Sequence, residues 1–568
     1  MLRILRGALV GAIALSLSAT ALAAPAQAAA AAEPDATVSP SFLDFGYVAA
    51  YDTSAPKTVT VTGSGAEPIT FGQASITGAG AAFFKITNDG CSLQTLSLGQ
   101  TCTITTVARP APQTGNAVIS LPDNSSAGST QVSLSVYGYD SERGTYNALS
   151  PNRILDTRSG KGAPKAAVGA GRSVSLQVAG VGGVPTDAST VVLNVTVTGP
   201  TAGGYVAVYP SGVARPTASS LNFVKGWTGA NSVTVKVGTN GKVDFYNSGG
   251  STHIIADVSG YYSKGHGCCS TYNGGQYHPL AEPVRLTDTR EWGSRLPADY
   301  YLNSVANWNA SINPHIRAFA VNITVTQPTA SGFLTAWNGD GYSLPDTSTV
   351  NYTKNATVPN FAVVPTMPCD DCGSATGLPS IGVYTSANAH VIVDLVGFYD
   401  DGALPNGLRF DPVVPTRIAD TRAGLGWPSR LGPAQTATIP AGPVAGVDTW
   451  ALATNVTAVL PTTSTYLTVW PAGWEDVPRP TTSNLNANAG AVVSNAVQTM
   501  VGPGNMFNVF NAGGYTSVVV DVVGTFFQYP PSSPDGWGAK AGQPARDTAA
   551  MESALAPTVP SPGRAKRL

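Results

Sequence analysis

The sequence PNRILDTR at 151–158 recurs as PVRLTDTR at 283–290 and as PTRIADTR at 415–422. The aspartates of the three octapeptides, Asp156, Asp288 and Asp420, are evenly spaced along the chain. A repeat of this length is far longer than a solenoid or propeller-blade unit and can bury a core of its own. The chain therefore contains three copies of one domain-sized unit.

Each copy carries further landmarks in the same order. An asparagine in an Asn-Val-Thr or Asn-Ile-Thr run comes first, then two asparagines nine residues apart, then an aspartate ahead of a terminal aromatic residue. In the order of the copies these are Asn194, Asn322 and Asn455; Asn222 with Asn231, Asn351 with Asn360 and Asn486 with Asn495; and Asp257, Asp394 and Asp521. The repeats are placed at 145–263, 279–400 and 411–528, with a cysteine-containing linker at 264–278 and a second linker at 401–410.

Composition and patterning predict an all-β protein. Charged residues make up 11% of the chain, while Gly, Pro, Ser, Thr, Val and Asn are plentiful, which favours short strands and tight turns over long helices. Each copy contains about eight short apolar runs broken by Gly, Pro and Asn, a spacing typical of a sandwich or barrel. We predict three tandem β-sandwich repeats, with a joint assembly about a pseudo-threefold axis as the alternative.

The two ends of the chain differ from its body. Residues 1–28 have the order of a signal peptide: Arg3 and Arg6, an apolar run to about Leu22, and an A-x-A cleavage site at 26–28. An uncleaved anchor is the alternative, and no later segment is long enough to span a membrane. We expect a secreted protein, extracellular or associated with the cell surface. Residues 529–568 are rich in Pro, Ala and Ser, so a disordered tail is predicted there.

The segment 33–140 lacks the landmarks of the repeats. Its opening, VSPSFLDFG at 38–46, and its segment from Cys91 to Cys102 resemble the Ig-like modules labelled choice-of-anchor D or Hydin-type. The resemblance implies an N-terminal Ig-like β-sandwich that serves as a spacer or docking unit, without chemistry of its own.

The three repeats resemble a domain common in secreted actinobacterial proteins. The match rests on the signatures R-[IL]-x-D-T-R, N-V-T-V-T and D-V-x-G-[YF]-[YF], here starting at Arg153, Asn194 and Asp257 in the first copy. In that family the unit occurs in tandem beside peptidases, esterases or cell-wall hydrolases, and its own activity is not established. The resemblance implies an accessory role at a surface by association only.

Six cysteines in an exported chain indicate disulfides. Cys91 and Cys102 lie in one domain and are predicted to pair. Cys268, Cys269, Cys369 and Cys372 occur in the linker and the second repeat, and their pairing stays open. Bridges between linker and repeat would clamp the first repeat against the second. A four-thiolate zinc site, or a redox pair at Cys369 and Cys372, are the alternatives.

The Asp-Thr-Arg triplet is the first candidate site, at Asp156 and Arg158, Asp288 and Arg290, and Asp420 and Arg422. It fits either three equivalent ligand sites or a structural ion pair that fixes the first strand against its neighbour, and we favour the structural pair. The recurring asparagines, Asn194, Asn322 and Asn455 among them, fit turn or bulge stabilisation better than calcium ligation. We predict no metal site and no cofactor.

Paired aromatic residues on one strand are the second candidate. Tyr209, Trp337 and Trp470 recur at one position of the repeats, where they could stack on sugar rings or belong to a core. His253 and His390 stand four residues before the terminal aspartate, but the third copy has Ser517 there, and no hydrolase motif completes a mechanism.

The leading functional hypothesis is a non-catalytic binding or surface protein, whose repeats recognise glycan, cell wall or a protein partner. A net charge of −2 gives no electrostatic reason to expect nucleic acid or an anionic membrane as partner. A secreted hydrolase of unrecognised type with a site in one repeat, and a structural spacer or coat subunit, are the alternatives.

Overall fold

The computed structural model describes residues 33–265, 274–341, 344–446, 448–474, 477–529, 556–560 and 565–567. Its secondary structure is strands and four single-turn 3-10 helices, at Ala81–Phe83, Thr239–Gly241, Asn313–His315 and Gly373–Ala375. The all-β prediction is confirmed. The predicted signal peptide, residues 1–28, lies outside the described residues, as do Cys268 and Cys269. Within the described ranges no helix is long and apolar enough to cross a membrane.

The N-terminal domain is a two-layer β-sandwich closed by one disulfide. Its sheets have the orders β1-β3-β8-β6 and β2-β10-β9-β5, with β4 and β7 as a separate pair. Apolar side chains from both layers, such as Val59, Ile104 and Leu134, form its core. Cys91 and Cys102 are bonded, as predicted. The strands are β1 (Ala36–Ser39), β2 (Phe42–Ala49), β3 (Lys57–Gly63), β4 (Ile69–Thr70), β5 (Ser75–Thr77), β6 (Phe84–Asp89), β7 (Thr95–Leu96), β8 (Thr101–Ala108), β9 (Thr114–Pro122) and β10 (Ser129–Tyr139).

The first repeat is a sandwich of two four-stranded sheets. Its inner sheet has the order β11-β18-β13-β16, and its outer sheet has the order β12-β17-β14-β15. The strands are β11 (Tyr146–Asp156), β12 (Arg172–Gln177), β13 (Ala188–Thr198), β14 (Gly204–Pro210), β15 (Leu221–Phe223), β16 (Thr228–Lys236), β17 (Lys242–Asn247) and β18 (His253–Ser263).

The second and third repeats have the same topology. Their inner sheets, β19-β27-β21-β24 and β28-β35-β30-β33, join edge to edge where Tyr277 pairs with Leu408. The second repeat contains β19 (Tyr277–Asp288), β20 (Tyr300–Val305), β21 (Ala318–Thr326), β22 (Gly332–Trp337), β23 (Val350–Tyr352), β24 (Thr357–Pro365), β25 (Met367–Pro368), β26 (Pro379–Thr385) and β27 (His390–Tyr399). The third contains β28 (Leu408–Asp420), β29 (Gln435–Pro440), β30 (Thr449–Val459), β31 (Thr465–Pro471), β32 (Leu485–Ala487), β33 (Val492–Met500), β34 (Met506–Asn511) and β35 (Ser517–Gln528).

The inner sheets of the three repeats pack together around a closed ring of six aromatic side chains. In ring order these are Tyr146, Tyr262, Phe410, Phe526, Tyr277 and Tyr399, with neighbouring centroids 4.2–5.1 Å apart. Each repeat contributes two rings, so the order passes through all three copies and returns to the first. Of the two arrangements that the sequence left open, the structure has the joint assembly about a pseudo-threefold axis.

The glycine of the D-V-x-G signature makes this ring possible. A Cβ atom added at Gly260, Gly397 or Gly524 would lie within 2.6 Å of a ring atom of Tyr146, Tyr277 or Phe410, respectively. Real Cβ atoms do not approach so closely, and the neighbouring rings are packed on all sides. The glycine of the signature is therefore required for the close packing of the aromatic rings at the axis in each copy.

Two short stretches of the predicted tail contact the second repeat. Residues Lys566–Arg567 form β36, which pairs with the edge strand β20, and Thr558 exchanges backbone hydrogen bonds with Asn307. For these residues the prediction of disorder is replaced by an edge-strand contact. Beyond residue 529, the described part of the chain consists of residues 556–560 and 565–567.

Candidate functional site

Each Asp-Thr-Arg triplet begins at the last residue of a strand and continues into a turn. Asp156 is the last residue of β11, and the amides of Ser159, Gly160 and Lys161 donate back to its carbonyl oxygen. Its carboxylate accepts hydrogen bonds from the Arg158 backbone amide at 2.9 Å, from Nε at 3.0 Å and from Nη2 at 2.8 Å. Aspartate and arginine of the triplet therefore pair with each other, and the pair does not join two strands.

The same pairing occurs in the other two copies. The guanidinium of Arg290 donates to Asp288 at 2.8 and 2.5 Å, and that of Arg422 donates to Asp420 at 2.8 and 2.6 Å. The pairing within the triplet is thus the same in all three copies, and in the second and third copies Arg285 and Arg417 also donate to the triplet aspartate, at 3.2 and 3.4 Å.

A second ion pair in each repeat does join the first strand to the last. Arg153 donates from Nε and Nη2 to Asp257 at 2.9 and 3.4 Å. Arg285 with Asp394 and Arg417 with Asp521 repeat this bidentate contact. The sequence analysis assigned the strand-fixing role to the triplet and missed this pair. The signal was present, because both partners recur in register in every copy.

The two carboxylates of a repeat have opposite electrostatic environments. Hydrogen bonds from the Arg158 side chain and backbone lower the pKa of Asp156 against the effect of its burial. Burial raises the pKa of Asp257 to about 6, although Arg153 opposes the shift. Burial also raises the pKa values of Asp394 and Asp521. The triplet aspartate is thus held ionised by its arginine, while the aspartate of the last strand carries the larger electrostatic cost of burial.

The charged clusters of the first and third copies lie at a seam with another repeat. Arg417 of the third copy donates from Nη2 to the Thr217 carbonyl of the first copy at 3.1 Å. Asp346 of the second copy contributes to the raised pKa values of Arg158 and Asp257 in the first. The candidate site is therefore built from two neighbouring copies and depends on their assembly.

The triplet arginines are the exposed part of these clusters. The side chains of Arg158, Arg290 and Arg422 are 48%, 49% and 50% exposed, respectively. Nε and Nη2 of each are used by the triplet aspartate, and Nη1 forms no hydrogen bond with the described residues. A guanidinium held in this way can donate to a carboxylate, a carbonyl or a hydroxyl of a ligand.

The threonine of the triplet locks the turn onto the last strand. Thr157 Oγ1 accepts from the Ile254 amide and lies 3.0 Å from His253 Nδ1. Thr289 has the same relation to the Val391 amide and to His390, 3.2 Å away. The two histidines therefore contact threonine rather than the terminal aspartate, and no His-Asp dyad forms at these two positions.

The predicted sugar-stacking residues are buried. Tyr209, Trp337 and Trp470 are 7%, 1% and 7% exposed, respectively. Trp337 packs with Tyr301 and Tyr384. Ring faces covered in this way are closed to a sugar, so the alternative that these residues belong to a core is correct.

The recurring asparagines form hydrogen bonds between the copies. The side-chain amides of Asn194, Asn322 and Asn455 donate to backbone carbonyls of Ser348, Ser483 and Ser219. Their Oδ1 atoms accept from Asn360, Asn495 and Asn231 at 2.9–3.0 Å. Each of these bonds joins two different repeats, so local turn stabilisation does not describe Asn194, Asn322 and Asn455. The asparagines Asn222, Asn351 and Asn486, in contrast, each donate to a serine three residues earlier in their own repeat.

The cysteines of the second repeat pair with each other. Cys369 and Cys372 form a disulfide in the segment that follows β25, so neither can clamp the linker to this repeat. Across the described ranges no three His, Cys, Asp or Glu side chains are grouped closely enough to hold a metal ion.

Comparison with known proteins finds little. No family model matches the chain, and no curated protein matches it. Among solved structures, the VesB protease of Vibrio cholerae is similar over 19% of this chain and 32% of its own, with 16% identity and a TM-score of 0.15. The secreted serine protease VesC of the same organism is similar over 39% of this chain and 49% of its own, with 15% identity and a TM-score of 0.16. These likenesses carry no argument about fold or activity.

Proposed function

We propose that this chain is a secreted, non-catalytic binding protein, whose three repeats recognise a ligand of the extracellular space: a glycan, a cell-wall polymer or a protein partner. The observation that carries the proposal is the threefold recurrence of one half-exposed arginine that is fixed by its own aspartate. The aspartate fixes Nε and Nη2 of each guanidinium, so its exposed Nη1 group is positioned to donate to a ligand.

The arrangement suits multivalent recognition. Three equal sites on one body engage a repetitive partner with an effective concentration set by their fixed separation, so weak single contacts add up to avidity. Such a partner is a polymer with regularly spaced acceptor groups. The bonded pairs Cys91–Cys102 and Cys369–Cys372 are compatible with the oxidising space outside the cell.

The experiment compares binding of the full chain and its arginine variants to purified peptidoglycan and a panel of polysaccharides. Arg158→Ala, Arg290→Ala and Arg422→Ala are expected to weaken binding in steps, and the triple variant to abolish it. Arg172→Ala is the matched control, because Arg172 is an exposed arginine of the first repeat outside the motif. The proposal fails if no surface binds the wild type, or if the triple variant binds as the wild type does.

A further inference from the structure

The N-terminal domain carries large aromatic side chains in solvent. Phe42, Tyr47 and Tyr137 are 50%, 67% and 45% exposed, respectively. All three lie on the sheet β2-β10-β9-β5, whose other face covers the core with Leu43, Phe45, Leu134 and their neighbours. Large aromatic side chains that are grouped and exposed on one face are typical of a binding surface.

The three rings lie on one face of this sheet. Tyr137 is paired directly with Tyr47 across the strands, and Ser133 of the same strand is paired with Phe42. Residues four apart on a strand share a face and lie roughly 13 Å apart. Tyr47 and Tyr137 pack edge to face with centroids 4.8 Å apart. The face thus presents an aromatic pair at one end and a single ring at the other.

Uncharged hydrogen-bonding groups fill the space between the rings. Ser133 and Ser135 of β10 and Asn116 of β9 lie on the same face. Ser133 is paired with Phe42, and Ser135 is paired with Asp44 on one side and with Asn116 on the other. Asp44 accepts hydrogen bonds from the Gly46 amide and from Ser135 Oγ, both at 2.9 Å, which fixes its carboxylate in an exposed position. Its pKa is lowered by these contacts.

The charge of this face decides the kind of partner. Asp44 is the single charged side chain among the outward residues of β2, β5, β9 and β10; the others are hydroxyl, amide, aromatic or small apolar groups. An anionic polymer would find no cation among these outward residues and would meet the Asp44 carboxylate. Aromatic rings separated by hydroxyl and amide groups complement a neutral carbohydrate, because sugar C–H faces pack on rings while sugar hydroxyls bond to the polar groups between them.

We propose that the outer face formed by β2, β10 and β9 binds a neutral polysaccharide through Phe42, Tyr47 and Tyr137, with Asp44 as a fixed acceptor for sugar hydroxyls. This site is separate from the arginine clusters of the repeats and does not depend on the function proposed for them. It gives the N-terminal domain a recognition role where its sequence implied a spacer.

The test measures binding of the full chain to insoluble cellulose and chitin by depletion from solution, at low and at high salt. The double variant Tyr47→Ala/Tyr137→Ala and the single variant Phe42→Ala are each expected to weaken binding by on the order of tenfold or more. Tyr47→Phe/Tyr137→Phe keeps the rings and is expected to keep most of the affinity. Tyr515→Ala is the matched control, because Tyr515 is 57% exposed on the third repeat.

The variants also separate this site from that of the repeats. Loss of binding in the tyrosine variant but not in the triple arginine variant supports the aromatic face. Loss in the arginine variant alone assigns any glycan binding to the repeats and overturns the inference. It is equally overturned if the wild type binds neither polymer, if high salt abolishes binding, or if Tyr515→Ala is as damaging as the double variant. Thermal unfolding of each variant shows that the domain stays folded, since all three rings lie outside the core.

Discussion

At the scale of single residues, each repeat contains two Asp-Arg pairs with different tasks. Asp257 is buried, and its partner Arg153 is mostly covered, so this pair bears the desolvation cost of joining the first strand to the last. Arg158 is half exposed to solvent, so forming or removing the triplet pair changes the free energy of folding only slightly. The two pairs are adjacent in the structure, and mutations should separate them.

The pair Arg153–Asp257 should contribute more to the free energy of unfolding than the triplet pair Asp156–Arg158. Asp257→Ala leaves Arg153 without its counterion in a largely covered position, which is expected to cost roughly 3–5 kcal/mol of unfolding free energy. Asp156→Ala leaves an arginine that water can solvate, at a cost of about 1 kcal/mol. Denaturant titrations of both variants measure the difference. Equal losses, or a larger loss for Asp156→Ala, would contradict this assignment.

The raised pKa of Asp257 predicts a specific pH dependence. Its value is about 6 in the folded protein against 3.8 for the ordinary group, so the folded state holds a proton that the unfolded state releases. The contribution to stability is therefore complete below about pH 4 and is lost as the pH rises through 6. Compared with Asp257→Asn, the wild type should lose stability between pH 4 and 6 in denaturant titrations. A wild type that gained stability over this interval relative to the variant would refute the assignment.

The residues of the candidate site were visible in the sequence, but their partners were not. Recurrence in three copies identified Asp156, Arg158 and Asp257 as important positions. The triplet was interpreted as part of a strand, whereas β11 ends at Asp156 and the chain turns there. Alternation along a strand does not apply in a turn, so the predicted contact across strands was assigned to the wrong arginine of the motif.

At the scale of elements, the inner strands are buried on both faces. In Ala318–Thr326 every residue is buried, although the strand belongs to an antiparallel sheet. One face packs inside its own sandwich and the other packs against the neighbouring copies, which explains the nearly continuous apolar run. Strand existence was therefore predictable from local pattern. The joint assembly was not, because the partners of the second face lie in other repeats.

The edge strand β20 of the second repeat is covered by the C-terminal residues. Truncation after Tyr529 removes the backbone pairs of β36 with Tyr300 and Tyr301. Two pairs at a sheet edge contribute little, so the chain should fold with nearly unchanged thermal stability. Hydrogen exchange at the amides of β20 should become faster, and exchange in the corresponding edge strands β12 and β29 should stay the same. Unchanged exchange in β20 would show that the contact does not persist in solution.

At the scale of the whole molecule, the asparagine bonds make the three repeats one unit. Asn360 donates to Asn194 of the first repeat and accepts from the Ser232 amide of the same repeat. Equivalent bonds link the second repeat to the third and the third to the first. Because these bonds run from the first repeat to the second, to the third and back to the first, each repeat is bonded to both of the others.

Removing one member should therefore weaken the entire assembly. Asn360→Ala leaves the buried Ser232 amide without an acceptor, at an expected cost of roughly 1–3 kcal/mol. Calorimetry should show the three repeats unfolding in one transition, which moves as a whole to lower temperature in the variant. Asn222→Ala is the control, since the Asn222 side-chain amide donates to Ser219 Oγ of its own repeat at 3.2 Å. A separate early transition of one repeat would contradict a single cooperative unit.

The closed ring also constrains the order in which the chain can mature. Asn231 needs Asn455, which lies 224 residues later in the chain. The first repeat is synthesised before its partners. The polar and aromatic groups at its two seams therefore stay exposed to solvent until the third repeat has been synthesised. Contacts between residues this distant in sequence make folding slow and allow aggregation-prone intermediates to accumulate. A chain that lacks its third repeat would leave these seams exposed and prone to aggregation, and completion of the third repeat covers them.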